Sequence, residues 1–573
     1  MKSRTLFIIS LTLGLAIQSL FAQTDPGATG PFSVVRADYT FGNSVFQPTG
    51  FPIPVELTGS VIYPQELSNG PFPVVLMLHG RHSTCFQPGT QLTTLEWPCP
   101  SPRVPIPSLR GYDYIGRILA SNGFVVISIS ANGINARDNS TADFGMQARA
   151  ELVQKHLDIW KAFNTTGGPP FGTTFVSKLD LSNVGTMGHS RGGEGVVRHF
   201  LLNKSLGAPY GIKAVFPLAP VDFGRPVINE VPLGVMLPYC DGDVSDLQGV
   251  HFYDDARYNV AGDPAAKHTL LVFGANHNYF NTVWTSPFPG GVDDWSFVAG
   301  GGSDQHCGFQ ATSARLSPAQ QRIVGLAYIA GFFRLYLTGE TVLGPFFSGG
   351  PERPAIIRNA SVFPSYHAPD TPATRLDVNR LSNGINLVLN TAGGAAGQTG
   401  ITPYGLCGGP SPQPQRCLPG QSDERQPHTT PSALSSQRGL SQLAAGWTSP
   451  TAIYTNDLPP GSRNISGFSA LVFRASVIFA DPRNPVDVPQ DLAVRLIDGT
   501  GASMSVAVSA FTPALFYPPG QVGPVPKIVL NTVRVPLSAF GSGVNLADVR
   551  RVTFAFTRGT AGSLLITDLA FAK

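Results

Sequence analysis

The sequence predicts an α/β fold with a mostly parallel central sheet flanked by helices, followed by a C-terminal antiparallel β-sandwich. Three observations predict it. From residue 55 to about 343, short apolar runs alternate with amphipathic stretches, the pattern of strands joined by crossover helices. Beyond about residue 345 helical periodicity gives way to period-two alternation broken by Gly, Pro and Asp turns. Hydrophobic residues make up 42% of the chain and charged residues 13%, which favours packed cores over extended disorder.

The elements follow in order. Residues 72–78 form a compact apolar strand ending in His79-Gly80, and 123–130 form a second, with a helical stretch over 109–120 between them. Residues 147–163 have helical spacing, with Leu152, His156, Ile159, Trp160 and Phe163 on one side. A strand over 183–188 precedes a helix over 193–203, and strands over 212–218, 233–239 and 269–273 precede a long helix over 319–337. Runs this uniformly apolar suit strands buried on both faces. In the C-terminal part, strands are expected over 468–477, 492–497, 504–508, 528–535, 552–556 and 564–571. Residues 391–439, dense in Gly, Pro, Ser and Gln, read as an irregular insertion or linker.

Lys2 and Arg4, an apolar run over 6–20 and Ala22 before Gln23 match a secretory signal peptide over residues 1–22. The competing reading is an uncleaved anchor, but the run is shorter than the roughly 20 residues a span needs. No later segment is apolar enough to cross a bilayer, so no integral membrane segment is expected after cleavage, and the destination is extracellular or periplasmic. The expected organisation is a catalytic domain over 23–345 and an accessory domain over 346–573. A net charge of +3 over this length gives no strong field for nucleic acid or anionic membranes. Six cysteines in an exported chain favour disulfides. Cys85 with Cys99 and Cys407 with Cys417 are near enough in sequence to pair, which leaves Cys240 and Cys307. No spacing resembles a zinc site.

Gly188-His189-Ser190-Arg191-Gly192 is a G-x-S-x-G match lying directly between a predicted strand and a predicted helix, the arrangement of a nucleophile elbow. The small flanking residues allow the tight bend that exposes a serine hydroxyl. A serine needs a base to take its proton and a carboxylate to orient that base. His277, in a loop after the last core strand, is the expected base. The segment Tyr239-Cys240-Asp241-Gly242-Asp243-Val244-Ser245-Asp246 offers the acid; Asp243 is preferred, with Asp241 and Asp222 as alternatives. It lacks the glycine and distal glutamate of an EF-hand. The backbone N–H groups of Arg191 and Arg81 are the expected oxyanion donors. Their guanidinium groups suit pairing with a neighbour such as Glu194, with attraction of an acidic substrate as the competing role.

The His-Gly turn, the Gly-His-Ser-Arg-Gly-Gly elbow, the Asp243 turn and the Gly-Ala-Asn-His loop over 55–343 resemble the secreted esterase and lipase branch of the α/β-hydrolase superfamily. The resemblance implies an α/β-hydrolase fold with Ser190, Asp243 and His277 as triad and Arg81 and Arg191 as oxyanion donors. Arg191 stands where many such proteins have an uncharged residue, and the segment 281–316 is longer than a minimal core needs. That segment, with Trp284 and Trp295, and the loop 85–107, with Trp97, are candidate walls of an acyl pocket, and Cys307 offers a tie to Cys240. Residues 531–537, 552–556 and 566–571 resemble galactose-binding-like or carbohydrate-binding jelly rolls.

The expected function is carboxylic-ester hydrolysis through an acyl-enzyme, with no metal or organic cofactor. The same triad also cuts amides, so a secreted peptidase or amidase is one alternative. The other is a carbohydrate-binding or adhesive protein with an inactive hydrolase core. The expected partners are an ester substrate and, through the C-terminal domain, an insoluble polymer or glycan.

Overall fold

The computed structural model describes residues 25–573 except 299, 309–313, 409–416, 418–439, 480, 486–487, 517–526 and 528. The leader expected over 1–22, and most of the insertion expected over 391–439, lie outside the described residues.

Nine strands form one sheet: β1 (Val34–Thr40), β2 (Thr58–Pro64), β3 (Phe72–Leu78), β4 (Val125–Ile129), β5 (Leu179–His189), β6 (Ile212–Leu218), β7 (Leu233–Pro238), β8 (Lys267–Val272) and β9 (Val362–His367). Their spatial order is β1-β2-β4-β3-β5-β6-β7-β8-β9. The strands from β4 through β8 run parallel, while β1, β2 and β9 join antiparallel.

The pleat sorts side chains to two cores. Val74, Leu76 and Leu78 of β3 pack in one cluster with Leu152, Trp160, Val196 and Phe200, which belong to α2 (Met146–Thr165) and α3 (Arg191–Ser205). Val75 and Met77 pack on the opposite face with Leu119, Val324 and Phe332, from α1 (Asp113–Ser121) and α5 (Pro318–Leu337). A strand apolar at every position is therefore a strand covered by helices on both sides. The start of α5 is fixed by a capping box between Ser317 and Gln320 with Pro318 in the first turn.

The C-terminal half consists of two antiparallel sheets sharing one core. The first carries Ile401–Cys407, Gln442–Trp447, Gly562–Ala572, Ala470–Val477 and Asn531–Pro536 in that order, with Arg375–Asn379 also on Gly562–Ala572. The second carries Ala396–Thr399, Ile453–Asp457, Val549–Ala555, Ala493–Asp498 and Ser503–Ala507. Phe473 of the first meets Phe554 of the second with ring centroids 4.7 Å apart.

The halves are joined through buried polar contacts. Thr532 N donates to Ser365 Oγ at 3.0 Å, and Tyr366 N to Thr532 Oγ1 at 3.1 Å. Arg474 pairs with Asp254 of α4 (Val250–Ala256) at 2.6 Å, and Arg257 pairs with Asp568. Disulfides link Cys85 to Cys99, Cys240 to Cys307 and Cys407 to Cys417, as fits an oxidising compartment. Among the described residues no helix is long and apolar enough to cross a membrane.

The structure contains strands that the sequence reading did not expect, among them Arg375–Asn379, Gln442–Trp447 and Ile453–Asp457. β1 and β2 precede the first strand expected, at 72–78: β1 is mostly half-exposed, and Thr58, Gly59 and Ser60 keep β2 from reading as an apolar run. Residues 396–407, inside the supposed irregular insertion, form two strands. β9 lies beyond the expected boundary at 345 yet completes the first sheet by pairing with β8.

Candidate active site

Ser190 stands between the end of β5 and the first residue of α3, with φ 58° and ψ −125°. A side-chain-bearing residue holds this left-handed conformation only where its surroundings impose it. Ser190 N donates to Leu218 O of β6 at 2.9 Å, and Gly193 N donates to Ser190 O at 2.8 Å, so the turn is tied at both ends. Gly192 is required by close approach: a Cβ there would lie 2.6 Å from the Leu78 carbonyl and 2.8 Å from that of His79. At Gly188 a Cβ would collide with the Gly192 carbonyl. The glycines of the motif thus allow the elbow to close against β3.

His277 follows β8 and is 1% exposed. Its Nδ1 donates to Asp241 Oδ2 at 2.8 Å, while its Nε2 is buried and makes no hydrogen bond among the described residues. Its ring lies 4.8 Å from that of His189, the residue before Ser190, which brings the two loops together. His189 Nδ1 meets the Tyr112 hydroxyl at 2.9 Å, and burial, with His277 beside it, holds its protonation well below the ordinary range.

Asp241 therefore occupies the orienting position for which Asp243 was preferred. The reason is a turn that closes on Asp241 itself: its Oδ1 accepts from Asp243 N at 3.0 Å and Val244 N at 2.6 Å, which aims Oδ2 inward at His277. Cys240 N donates to Ala275 O, and the Cys240–Cys307 bridge anchors the same point. Asp243 points out; its side chain is 56% exposed, with Oδ2 3.5 Å from His277 Nε2. Asp222 is elsewhere, paired with Arg225 at 3.5 Å and His251 at 3.3 Å.

A second buried carboxylate underlies the base. Asp294 accepts from His277 N and Asn278 N, each at 3.0 Å, and from Gly242 N at 2.7 Å, so it joins the acid loop to the base loop. Burial, then the neighbouring Asp241, pushes its carboxyl up to about 6. Burial opposes charge on His277, but Asp241, Asp243 and Asp294 together outweigh it and raise the imidazole to about 9.

Arg191 opens α3, where the helix supplies no acceptor for its N–H, and Arg81 follows the His79-Gly80 turn. Their guanidinium groups converge on Asp138, which is fully buried and pairs with Arg81 at 3.1 Å, Arg149 at 2.9 Å and Arg191 at 2.8 Å. Glu194, the expected partner of this region, pairs with Arg198 instead. A cavity of about 150 Å³ beside Ser190 is lined by Arg81, Arg191, Asp243 and Gln248 with Val221, Phe223 and Val244.

None of the three tryptophans lines this cavity. Trp284 is buried behind the base, its ring 4.7 Å from that of His189 and stacked on His82, with Nε1 donating to Ser108 Oγ. Trp295 is buried and Trp97 donates to the Asn43 carbonyl. Long loops mark candidate walls by composition, but Trp284 and Trp295 go where a core needs filling. Sequence reasoning also missed Asp294, Asp138 and Phe223, for which no local motif exists.

Among the described residues no group of three His, Cys, Asp or Glu side chains is placed to hold a metal ion. No protein-family model matches the chain, and no curated protein matches it. The geometry itself defines a mixed α/β protein whose strained serine, buried histidine and buried aspartate follow β5, β8 and β7, gathered beyond the carboxyl ends of parallel strands.

Proposed function

We propose that the protein is a secreted serine hydrolase of the α/β-hydrolase type that cleaves carboxylic esters. The observation that carries this reading is Ser190 held at positive φ in a strand-to-helix turn, directly after His189, whose ring lies 4.8 Å from that of His277, a histidine whose Nδ1 is engaged by a buried aspartate and whose Nε2 is left for a proton. The strand order, with nucleophile after β5, acid after β7 and base after β8, supports it.

In this reading Ser190 Oγ attacks the ester carbonyl and its proton passes to His277 Nε2, while Asp241 holds the imidazole and stabilises its charge. The oxyanion is met by the N–H groups of Arg81 and Arg191. His277 then gives the proton to the departing alcohol, and water, deprotonated by the same nitrogen, releases the acyl group. A cavity of about 150 Å³ favours a short acyl chain. The C-terminal half takes the part of a galactose-binding-like β-sandwich, and its buried ion pairs with α4 support a packing role over sugar binding.

Labelling with a fluorophosphonate probe, beside a Ser190→Ala control, tests the reading, followed by a p-nitrophenyl ester chain-length series. Labelling lost in the control and fastest turnover on acetyl to butyryl esters are expected. No labelling of the wild-type protein would refute it.

A further inference from the structure

Among the contacts between the two halves, one ends at the active site. Lys527, just before the strand Asn531–Pro536, is fully buried and donates from Nζ to the backbone carbonyl of Asp241 at 3.1 Å, across 286 positions of sequence. The ammonium lies 5.1 Å from the ring centre of Trp295 and 5.7 Å from that of Tyr239. Val529, two residues on, packs in the same core as β7.

The charges around it give the lysine its meaning. Asp241 and Asp246 face it from the loop after β7, and Asp294 and Asp304 from the segment that follows the base. Two of these carboxylates, Asp241 and Asp294, are fully buried and flank His277. Buried carboxylates lacking a nearby cation gain protons or transfer the demand to a neighbouring base. A buried ammonium is in turn sustained only by partners of this kind.

We propose that Lys527 is a positioning residue for the Asp241–His277 pair, so that the C-terminal half completes the active site instead of serving as an appended binding module. The inference rests on the serine-hydrolase reading above. Lys527 fixes the backbone carbonyl of Asp241 while the Asp241 carboxylate points at the base. Its charge offsets Asp294 and keeps the imidazole from holding its proton more tightly. Burial lowers the ammonium to about 8 against the pull of the four aspartates, so it stays charged at neutral pH.

The test uses the full chain and the rate of fluorophosphonate labelling of Ser190 as a function of pH, for wild type, Lys527→Met and Lys527→Arg, with thermal melting to verify folding. Lys527→Met is expected to lower the labelling rate about tenfold near pH 7, where the ammonium is charged, and to converge on the wild-type rate as pH rises past about 8 and the ammonium loses its proton. Lys527→Arg keeps the charge and is expected to stay within about threefold of wild type. Lys527→Gln, which keeps a donor without the charge, carries the comparison if the apolar variant does not fold. A folded uncharged variant with the wild-type labelling rate near pH 7 would overturn the proposal. Absence of labelling in the wild-type protein would overturn the hydrolase reading and the positioning role with it.

Discussion

Replacing Asp241 by asparagine changes one atom in a place where the surrounding donors dictate the consequence. Asp241 Oδ1 accepts from the Asp243 and Val244 N–H groups, so the amide oxygen of an asparagine stays on that side and its NH2 faces His277. An NH2 only donates, so Nδ1 must give up its hydrogen, and the imidazole switches to the tautomer protonated on Nε2. That nitrogen then has no lone pair for the proton of Ser190. The expected loss is about 10³ to 10⁴ in kcat, or about 4 to 5.5 kcal/mol of barrier. Asp243→Asn has the opposite sign. A carboxylate 3.5 Å from Nε2 contributes about 1 kcal/mol at water-like screening, less after discounting for an exposure of 56%. Its removal moves the acid limb of the rate profile down by less than about one pH unit and leaves activity at neutral pH equal or higher. The assay is kcat and kcat/KM on p-nitrophenyl acetate across pH, with circular dichroism to show that both variants fold. Equal losses in the two variants would refute the assignment of Asp241.

Two further expectations concern pH and the disulfides. Turnover requires neutral His277, so with the imidazole raised to about 9 by its three aspartates against the effect of burial, esterase activity should rise with pH well beyond the ordinary histidine range. A raised folded-state value also means that the stabilisation from the Asp241–His277 pair is complete below the unfolded value of about 6.5 and fades as pH rises through about 9. A rate profile with its acid limb at about 6 to 7, or a urea midpoint that grows over the same rise, would contradict this. Removal of Cys240–Cys307, which spans 67 positions, should cost about 4 kcal/mol by chain entropy and also slow labelling of Ser190, because Cys240 adjoins the acid. Removal of Cys85–Cys99, which spans 14, should cost about 3 kcal/mol and leave labelling unchanged; labelling equally slow in both would show that the first bridge has no special hold on the site.

The parts of the fold legible in the sequence were those whose pattern has a local cause. β3 and β7 are apolar throughout, β6 apart from Lys213 and β8 from Leu270 onward, because helices cover both faces, and α2, α3 and α5 have the spacing of helices on such a sheet. β1 alternates imperfectly because most of its residues are half-exposed, and the strands within 396–407 are masked by glycine and proline. The serine and histidine could be read because each sits at a strand end with a recognisable neighbourhood. Asp241 could not be separated from Asp243, since both lie in one short polar turn and a pair of backbone hydrogen bonds decides between them. Asp294, Asp138 and Lys527 act through contacts between distant segments, which no periodicity records.

The ninth strand has a consequence for how the molecule avoids its own kind. A sheet's outermost strand presents unpaired N–H and C=O groups to any passing chain. Here β9 covers β8, and the outer side of β9 is itself engaged by Thr532, which exchanges hydrogen bonds with Ser365 and Tyr366. A chain shortened at 345 would uncover the flank of Lys267–Val272, a strand buried along its whole length, and offer it as a template for intermolecular pairing. The C-terminal half thereby acts as a built-in guard against aggregation, one that any trimming of the protein has to preserve.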